Sequence, residues 1–309
     1  VNQTAARLSE ARAEEMGCDL VETTAHPGAR PEHVKWQGKV FSRSGKSRKY
    51  LDFVRSTGYG TGPGLCGWNC RHSFFPYFEG LSESAYPRSK LREYEEKTVK
   101  YNGKTLSYYD ATQQQRYIER QIRRWKREYL MLDAAGMDTT QASVKLAQWR
   151  ATERDFCRQT DLDRDGFRSQ AEGFGRSQAS RATWEAKKYL EKEKQDAIIK
   201  EEIRKPGGFS EKAKIHLFPR QMDTDTLAFD EQHINKERKH NVTREEAVLW
   251  IQNAKISVTV WGGQYERYYG YDGAVYVNVQ GHYIRTAYSK NEFQKEVLKI
   301  VEVLKKYGY

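Results

Sequence analysis

The segment ISVTVWGGQYERYYGYDGAVYVNVQGHYIRTAY, residues 256–288, decides the fold of the C-terminal part of the chain. Apolar and polar residues alternate in its first run, so that Ile256, Val258 and Val260 share one face of a strand. Short turn sequences separate the successive runs: Gly262-Gly263, Asp272-Gly273 and Gln280-Gly281. The pattern predicts a four-stranded antiparallel meander.

Two capping-box sequences flank this segment and predict a helix on each side of it. Residues 243–246, Thr-Arg-Glu-Glu, open a helix that runs to about residue 254. Residues 289–292, Ser-Lys-Asn-Glu, open an amphipathic helix that runs to about residue 306. We expect both helices to pack on one face of the sheet, so that residues 209–309 form a small domain of helices and strands.

The middle of the chain, residues 88–208, has the composition of long helices. Apolar residues recur at helical spacing, as at Ile118, Ile122, Trp125 and Tyr129. The segments concerned are QQQRYIERQIRRWKREYLML, QASVKLAQWRATERDFCRQ and ASRATWEAKKYLEKEKQDAIIKEEIRK. Their charges alternate in sign, which is typical of a solvated helix face, although the surplus of arginine and lysine would also suit a surface that lies against DNA.

Residues 1–87 contain glycine-rich and proline-rich stretches such as GYGTGPGLCGWNC, and few periodic helices fit there. This composition predicts a compact, loop-rich module. The chain as a whole is therefore expected to be of the α+β class, with three parts at residues 1–87, 88–208 and 209–309.

The composition limits the partners of the protein. The chain has 309 residues and a formal net charge of +11, which favours phosphate-rich partners such as RNA or packaged DNA. No apolar run approaches the roughly 20 residues of a membrane-spanning helix, so we expect no membrane partner. Four cysteines at irregular spacing argue against a secreted disulfide framework. Because the sequence starts at Val1 without an initiator methionine or a signal-peptide pattern, we expect a longer natural chain.

The stretch DLDRDGFRSQAE, residues 161–172, fits the twelve-residue calcium loop of an EF-hand. However, Arg164 and Arg168 lie inside the loop and oppose a divalent cation. Gly173 and Gly175 would weaken the outgoing helix, and the sequence has no second copy with which an EF-hand would pair. We interpret this stretch as an Asp-rich turn between two helices.

Two nearby segments, AHPGARPEHVKWQGKVF (25–41) and STGYGTGPGLCGWNCRHSFFPYFEG (56–80), carry a distinctive motif. The first has a GxRxxH-type element and a QGK turn with an aromatic residue, and the second has the sequence Asn-Cys-Arg-His at 69–72. They resemble the phage minor capsid protein 2 family, relatives of the Mu F-like head-morphogenesis proteins. The matching residues are His26, Arg30, His33, Trp36, Gln37, Gly38, Gly58, Tyr59, Gly60, Cys66, Asn69, Cys70, Arg71 and His72.

The resemblance covers roughly residues 1–190 and implies a minor virion component of a phage or prophage. The implied location is the capsid interior or the portal vertex, with portal and head proteins as partners. The host cytoplasm would be its location during assembly or after delivery. The resemblance also implies a segment that precedes Val1.

The cysteines and histidines of this motif could bind zinc if four of them converged tetrahedrally. The candidate ligands are His26, His33, Cys66, Cys70 and His72. Their spacing matches no common zinc finger, and a Cys/His cluster that attaches loops to a small core is the more usual arrangement. We therefore expect no metal and no other cofactor. Arg30 and Arg71 could instead bind carboxylates or a peptide terminus with two parallel hydrogen bonds.

The segment LAFDEQHINKERKHNVT, residues 227–243, brings two histidines near a carboxylate. If it is helical, His233, Glu237 and His240 lie on one face. Two imidazoles with a carboxylate between them would suit general acid–base chemistry near neutral pH. Nearby cations are Lys236, Arg238 and Lys239.

The last predicted strand places a further cation on the open face of the sheet. Because Ile284 is apolar and faces the core, Arg285 points to the opposite face. Thr286 would then face inward unless a β-bulge redirects it.

The helix, the meander, an HINxxRxH-like segment and a late IRTAY strand together resemble the phage-associated barnase/EndoU/colicin/RelE-like nucleases. Such domains end many phage minor capsid proteins. The family implies metal-independent RNA cleavage, in which the ribose 2′-OH attacks the adjacent phosphate while histidines move protons and cations stabilise the charge. By this resemblance, the catalytic candidates are His233, His240, Arg285, Thr286, Tyr288 and Lys239, and the candidates for RNA binding are Arg238, Tyr268, Tyr269 and Tyr271.

Two functions remain open for the whole chain. In the first, a virion protein carries an RNase-like toxin domain, with RNA as substrate and an immunity protein as a further partner. In the second, the chain is a purely structural virion protein near the portal. Its C-terminal domain is then a binding module without catalysis, in which the histidines are ordinary surface residues and the tyrosines pack the sheet.

Overall fold

A computed structural model describes the backbone of residues 2–309 and the side chains from residue 4 onwards. Contacts divide the chain into two compact units, with the boundary between Ala186 and Lys187. Both units contain helices and strands, as expected for the α+β class. In the described residues, no helix has the length and apolar character that crossing a membrane requires. Val1 lies outside the described residues, and so does the expectation about what precedes it.

The first unit begins with a small sheet and the helices around it. In chain order these elements are α1 (Asn2–Glu15), β1 (Leu20–Thr23), α2 (Pro31–Val34), β2 (Val40–Ser42), α3 (Phe53–Thr57) and β3 (Phe74–Pro76). Strand β1 is central and pairs antiparallel with β2 and with β3. Phe41, Phe53 and Phe74 are buried in the core of this region, where the rings of Phe53 and Phe74 lie 4.8 Å apart.

A second core in the same unit joins a β-hairpin to two long helices. The elements are α4 (Arg88–Glu96), β4 (Thr98–Tyr101), β5 (Lys104–Ser107), α5 (Tyr108–Ala134) and α6 (Thr140–Thr160). The hairpin turn has Asn102 at φ 48° and Gly103 at φ 76°, a pair of positive values that suits Asn-Gly. Ile118, Ile122 and Tyr129 are buried where α5 packs on α6, as their helical spacing predicted.

The Asp-rich stretch 161–172 is a loop that follows α6, and the next helix, α7 (Arg176–Arg204), begins only beyond it. Arg164 donates to the buried carboxylate of Glu153 at 2.5 Å. Lys126 of α5 donates to a carbonyl of the loop at 2.7 Å. These contacts attach the loop to the helical hairpin and confirm that it is a turn between two helices.

The second unit is built on a mixed sheet. After the end of α7 its elements are β6 (Lys214–His216), β7 (Ala228–Phe229), α8 (Arg244–Gln252), β8 (Ile256–Val260), β9 (Tyr265–Tyr269), β10 (Gly273–Asn278), β11 (Tyr283–Ser289) and α9 (Lys295–Tyr307). The strand order is β6-β8-β9-β10-β11-β7. Strands β8 to β11 are successive antiparallel neighbours. Two short strands that were not predicted extend the sheet, because β6 pairs with β8 and β7 lies parallel to β11.

Helices cover both faces of this sheet, and the prediction that they pack on one face is wrong. Ala274 and Val275 are adjacent on β10 and therefore point to opposite faces. Val275 packs in a core with Ile251 of α8, whereas Ala274 belongs to a core that includes Leu304 of α9 and Ile203 of α7. Because β10 is apolar on both sides, each side needs a covering helix.

The end of α7 belongs to the second unit. Ile199 and Ile203 are buried in the core that α9 also covers, so this unit starts before the turn at 206–208 that suggested the boundary. The division into three folding domains stays a prediction, which the folding of the isolated segments would test.

The two capping boxes have different outcomes. Thr243 accepts a hydrogen bond from the N–H of Glu246 at 3.2 Å, and the Glu246 carboxylate accepts one from the N–H of Thr243 at 2.8 Å, so α8 begins as predicted. After the second box only a short 3₁₀ turn forms, and α9 starts at Lys295. This second prediction is wrong because the carboxylate of Glu292 contacts His240 instead.

Candidate functional site

A cleft of about 570 Å³ opens on one face of the sheet in the second unit. Tyr276 of β10 lies opposite Arg267 of β9 and opposite Thr286 of β11, so that these three side chains are neighbours across the strands. The volume falls in the range of roughly 300–1,000 Å³ that is usual for ligand sites. The residues that line the cleft are His233, Arg238, His240, Trp261, Tyr265, Arg267, Tyr276, Arg285, Thr286, Tyr288, Glu292 and Gln294.

A β-bulge on β11 brings two consecutive residues to the cleft. The register passes from Ile284, opposite Val277, to Thr286, opposite Tyr276, and leaves Arg285 as the extra residue. Ile284 is buried in the core, whereas Arg285 and Thr286 both line the cleft. The bulge therefore directs Thr286 to the cleft instead of the core, which is the exception that the sequence analysis allowed for.

The prediction that His233 and His240 lie on one face of a single helix is wrong. Gln232–Glu237 form a single π-helical turn, and Lys239 has a φ of 60°, in the left-handed region. The amide of Asn235 donates to the carbonyl of Val242 at 2.8 Å and accepts from its N–H at 2.9 Å. This local ring closes the loop, so that the chain leaves the helical path before it reaches His240.

A separate carboxylate holds each histidine. The Nδ1 atom of His233 lies 2.9 Å from an oxygen of Glu237, and the Nδ1 atom of His240 lies 2.7 Å from an oxygen of Glu292. Because a carboxylate only accepts hydrogen bonds, Nδ1 carries a proton in both rings, and Nε2 is the nitrogen left for a ligand. The sequence had suggested that Glu237 lies between the two imidazoles, but it contacts His233, and Glu292 contacts His240.

Arg285 is oriented by Asp230, which follows β7. Its Nη1 atom donates to Asp230 Oδ2 at 2.6 Å, and Asp230 also accepts from the N–H of His233 at 3.0 Å. Burial alone would raise the pKa of Asp230, but the hydrogen bonds from the His233 N–H and the Arg285 guanidinium lower it below its ordinary value. Asp230 thus stays ionised, and the other N–H groups of Arg285 remain for an anion.

Three tyrosine hydroxyls form a hydrogen-bonded chain beside the cleft. The hydroxyl of Tyr288 lies 3.0 Å from that of Tyr276, and the hydroxyl of Tyr269 donates to Tyr276 at 3.3 Å. Burial raises the pKa of Tyr288, and the neighbouring Tyr276 adds to the rise. Tyr288 therefore remains a neutral hydrogen-bond donor, and its ring centre lies 5.6 Å from that of His240.

Trp261, Tyr265 and Arg267 line the cleft but were not selected from the sequence. The Arg267 guanidinium lies 4.6 Å from the ring centre of Tyr276 and 5.5 Å from that of Trp261. The Trp261 side chain is 67% exposed at a turn where its φ is 49°. Alternation in QYERYY, residues 264–269, does place Tyr265 and Arg267 on one face and could have identified them.

Four of the residues predicted to act on RNA lie outside the cleft. Tyr268 is 1% exposed and Tyr269 is 2% exposed, so neither ring can stack on a base in this structure. The prediction fails for them because β9 is covered on both faces at this end of the strand, where Tyr268 and Tyr269 belong to the cores on opposite sides of the sheet. The Tyr271 hydroxyl donates to the carbonyl of Tyr309, away from the cleft. Lys239 is exposed but is not among the residues that line the cleft.

The Cys/His motif of the first unit forms a separate, buried cluster. The Cys70 Sγ atom lies 3.6 Å from Nδ1 of His72 and 3.8 Å from Nδ1 of His33. Cys66 is directed elsewhere, because its thiol donates to the carbonyl of His72 at 3.4 Å. Burial raises the pKa of Cys66 to about 12, and the ring of His26 lies 4.4 Å from that of His72.

Hydrogen bonds from this cluster hold several loops together. His33 Nε2 donates to the carbonyl of Pro63 at 2.9 Å, and His72 Nε2 donates to Oε1 of Gln37 at 3.1 Å. Burial lowers the pKa of His33, and it lowers the pKa of His72 to about 3, so both rings are neutral. The Arg30 guanidinium donates to a loop carbonyl at 3.0 Å, which gives it a positioning contact rather than a carboxylate partner.

Comparison with known proteins gives a family match within the first unit and two phage relatives. The family described as phage minor capsid protein 2 matches residues 1–158. A structural protein of Lactococcus phage LL-H is 37% identical over 108 residues, which are 33% of this chain and 26% of that protein. A structural protein of Lactococcus phage mv4 is 34% identical over 90 residues, which are 29% of this chain and 64% of that protein.

In both cases the match takes in less than two thirds of the relative's own length. No solved structure matches the chain. The family match includes the whole buried cluster and takes in more than half of the 309 residues. This chain therefore belongs to the phage minor capsid protein 2 family.

Proposed function

We propose that the second unit of this phage minor capsid protein cleaves RNA without a metal ion, and that the first unit associates with phage head proteins. One observation carries the first part of the proposal. Two histidines, each held by a carboxylate, lie in one cleft with an oriented arginine and a protonated tyrosine. This set of groups can supply the general acid, the general base and the charge-stabilising donors for cleavage of a phosphate diester.

The charge of the cleft favours a polyanionic substrate. Arg238, Arg267 and Arg285 line it, while the carboxylate that lines it, Glu292, is already bound to His240. Phosphate oxygens would therefore meet arginine N–H groups that can form parallel hydrogen bonds. The exposed ring of Trp261 offers a surface on which a base can stack.

RNA fits this cleft because it supplies its own nucleophile. The Nε2 atom of one histidine accepts the proton of the ribose 2′-OH, and the 2′ oxygen attacks the adjacent phosphorus. Arg285 and the Tyr288 hydroxyl donate to the phosphate oxygens, on which negative charge develops in the transition state. The Nε2–H of the other histidine protonates the departing 5′ oxygen. The products are a 2′,3′-cyclic phosphate and a 5′-hydroxyl end, and the two histidines exchange their protonation states.

The first unit supports the structural part of the proposal. The family match covers residues 1–158, and both relatives are phage structural proteins, so we assign attachment to portal or head proteins to this unit. The virion is then the location of the protein, and host cytoplasm becomes accessible to it during assembly or after delivery. An acidic immunity protein would complement the arginines of the cleft.

A second candidate for the cleft is RNA binding without cleavage. It is favoured by the fact that His233, His240 and Arg285 each have a carboxylate partner, as histidines and arginines with a purely structural role commonly do. In that case the second unit is a binding module of a purely structural virion protein.

An assay of the purified full chain separates the two candidates. End-labelled RNA is incubated with the wild type, His240→Ala and Arg285→Ala in EDTA. The matched control is His282→Ala, which removes an exposed histidine of the same unit whose partner is Thr226, outside the cleft. Catalysis predicts cleavage by the wild type and the control and strong loss in the other two variants. RNA binding without cleavage by the folded wild type would favour the binding module.

A further inference from the structure

We propose that the first unit binds one zinc ion through Cys70, His33 and His72. Their possible ligand atoms all lie within 4.8 Å of one another, and all three residues are buried. The site lies in a different unit from the cleft and does not depend on the proposed RNA cleavage. Cysteine sulfur and imidazole nitrogen are the ligands that zinc prefers in proteins.

The two sulfur–nitrogen distances are close to those around a tetrahedral zinc ion. Zinc binds sulfur at about 2.3 Å and imidazole nitrogen at about 2.0–2.1 Å, so a sulfur and a nitrogen of one tetrahedron lie roughly 3.5 Å apart. The observed separations from Cys70 Sγ are 3.6 Å to His72 Nδ1 and 3.8 Å to His33 Nδ1. The third separation, between the two histidine nitrogens, lies within 4.8 Å, so that closing around the ion requires the two rings to move towards each other.

The outer hydrogen bonds fix which nitrogen of each ring could bind the metal. The carbonyl of Pro63 only accepts, so Nε2 of His33 carries the proton. Gln37 Oε1 accepts from the backbone N–H of His26 at 3.3 Å, which identifies it as the amide oxygen, so Nε2 of His72 is also the donor. In the neutral rings both Nδ1 lone pairs then face Cys70 Sγ.

A metal ion bound to Cys70 would use both Nδ1 atoms, whereas the protonated Cys70 thiol would not. A thiol has one proton and can donate to only one of the two Nδ1 atoms. A zinc ion bound to the thiolate accepts the lone pairs of both rings. Histidines that bind metals usually donate their other N–H to an oxygen acceptor, as His33 and His72 do here.

A small cavity beside the cluster provides room for a fourth ligand. Its volume is about 120 Å³, and its lining includes His26, Arg30, Arg71 and Arg116 as well as the three proposed ligands. Among the described residues, the Nε2 atom of His26 has no hydrogen-bond partner although it is buried. A water molecule or a small anion on the zinc could fill this cavity and bond to His26. Three protein ligands with one exchangeable ligand are a common zinc arrangement.

Metal analysis of the full chain tests the proposal. The chain is equilibrated with Zn²⁺, dialysed against metal-free buffer and analysed for zinc, and a parallel sample is loaded with Co²⁺. We expect one zinc per chain and a thiolate-to-cobalt charge-transfer band in the cobalt form. Cys70→Ser should remove the band, while Cys66→Ser, which removes the neighbouring buried thiol, should retain it. A folded wild type that keeps no zinc, or a band that survives in Cys70→Ser, would overturn the proposal.

Two further measurements do not require Cys70→Ser to fold. The X-ray absorption spectrum of the zinc-loaded wild type should show one sulfur and two imidazole ligands, and a spectrum without sulfur contradicts the site. Gln37→Leu retains the three ligands but removes the acceptor of His72, so zinc affinity should fall about 10–100-fold. Unchanged affinity in a folded Gln37→Leu chain would count against the assigned geometry.

Discussion

The buried cluster of the first unit and the open cleft of the second unit use histidine in opposite ways. In the cluster, Nε2 of His72 donates to an amide oxygen and Nδ1 faces a thiol, with the side chain almost fully buried. In the cleft, Nδ1 of His240 donates to a carboxylate, and Nε2 is left for a ligand. The partner of one ring nitrogen therefore determines the chemistry available to the other.

The burial of the histidines and the partners of their N–H groups also differ between the two sites. A buried neutral imidazole whose proton is given to an oxygen acceptor is suited to hold a metal. A partly exposed imidazole paired with a carboxylate can take up and release protons during a reaction. The comparison is the basis of our proposals of metal binding for the first unit and proton transfer for the second, and the following changes are designed to break or sharpen it.

The largest expected effect is the loss of a proton-transfer group. If the second unit cleaves RNA, His240→Ala should lower kcat/KM by about 10²–10⁴-fold, because one of the two proton transfers loses its catalyst. Steady-state cleavage of a short RNA measures the change. The zinc content of the first unit should remain as in the wild type. Equal activity of His240→Ala and the His282→Ala control would remove His240 from the site.

A somewhat smaller effect is expected for the arginine on the bulge. Arg285→Ala should lower kcat by about 10²–10³-fold, since it removes a donor to the charge that develops on phosphate. Arg285→Lys keeps the charge and should recover part of the loss. If Arg285→Ala raises KM and leaves kcat unchanged, Arg285 binds the substrate without stabilising the transition state.

The fold of the second unit could be predicted only where local pattern and burial agree. The alternating pattern predicted β8 correctly, because its buried Ile256, Val258 and Val260 recur at every second position. Strands β6 and β7 have three and two residues and are too short to produce a pattern. The sequence also could not show which face each helix covers, since β10 is apolar on both.

The candidate site was predicted in part, because its residues come from local motifs but its geometry does not. His233, His240, Arg285, Thr286, Tyr288 and Arg238 all line the cleft. The route of the chain to His240 depends on the side-chain ring closed by Asn235, which no helical periodicity indicates. Glu292 has the position of a capping residue, but its contact with His240 spans 52 residues of sequence and could not be predicted locally.

A moderate effect is expected at the exposed aromatic of the cleft. Trp261→Ala should weaken RNA binding by about 1–3 kcal/mol if the indole stacks on a base, with little change in kcat. Fluorescence titration with a non-cleavable 2′-deoxy oligonucleotide measures this. Trp184→Ala, at a tryptophan of the first unit that is 63% exposed, serves as the matched control. A similar loss in both variants would mean that Trp261 has no special role.

The smallest expected effect is a pH dependence of stability from the Asp230–Arg285 pair. The pKa of Asp230 is lowered in the folded state, so its contribution is present above its ordinary value of 3.8 and is lost as the pH falls below it. The effect should be on the order of 0.2–1 kcal/mol, because solvent screens this partly exposed pair. Thermal unfolding of the wild type and Asp230→Asn across this pH range should show a steeper loss of stability in the wild type, because Asp19, Glu79, Asp138 and Glu202 also have a lowered pKa and keep part of the dependence in both. The same slope in both would exclude Asp230 as its source.

The chemistry of the RNA ends tests the central claim most directly. The purified full chain is incubated with a defined RNA in EDTA, and the ends of the products are identified by mass spectrometry. The account predicts 2′,3′-cyclic phosphate and 5′-hydroxyl ends, since the 2′-OH is the nucleophile. Products with 3′-hydroxyl ends that form only when Mg²⁺ is added, or intact RNA after incubation with the folded chain, would contradict it.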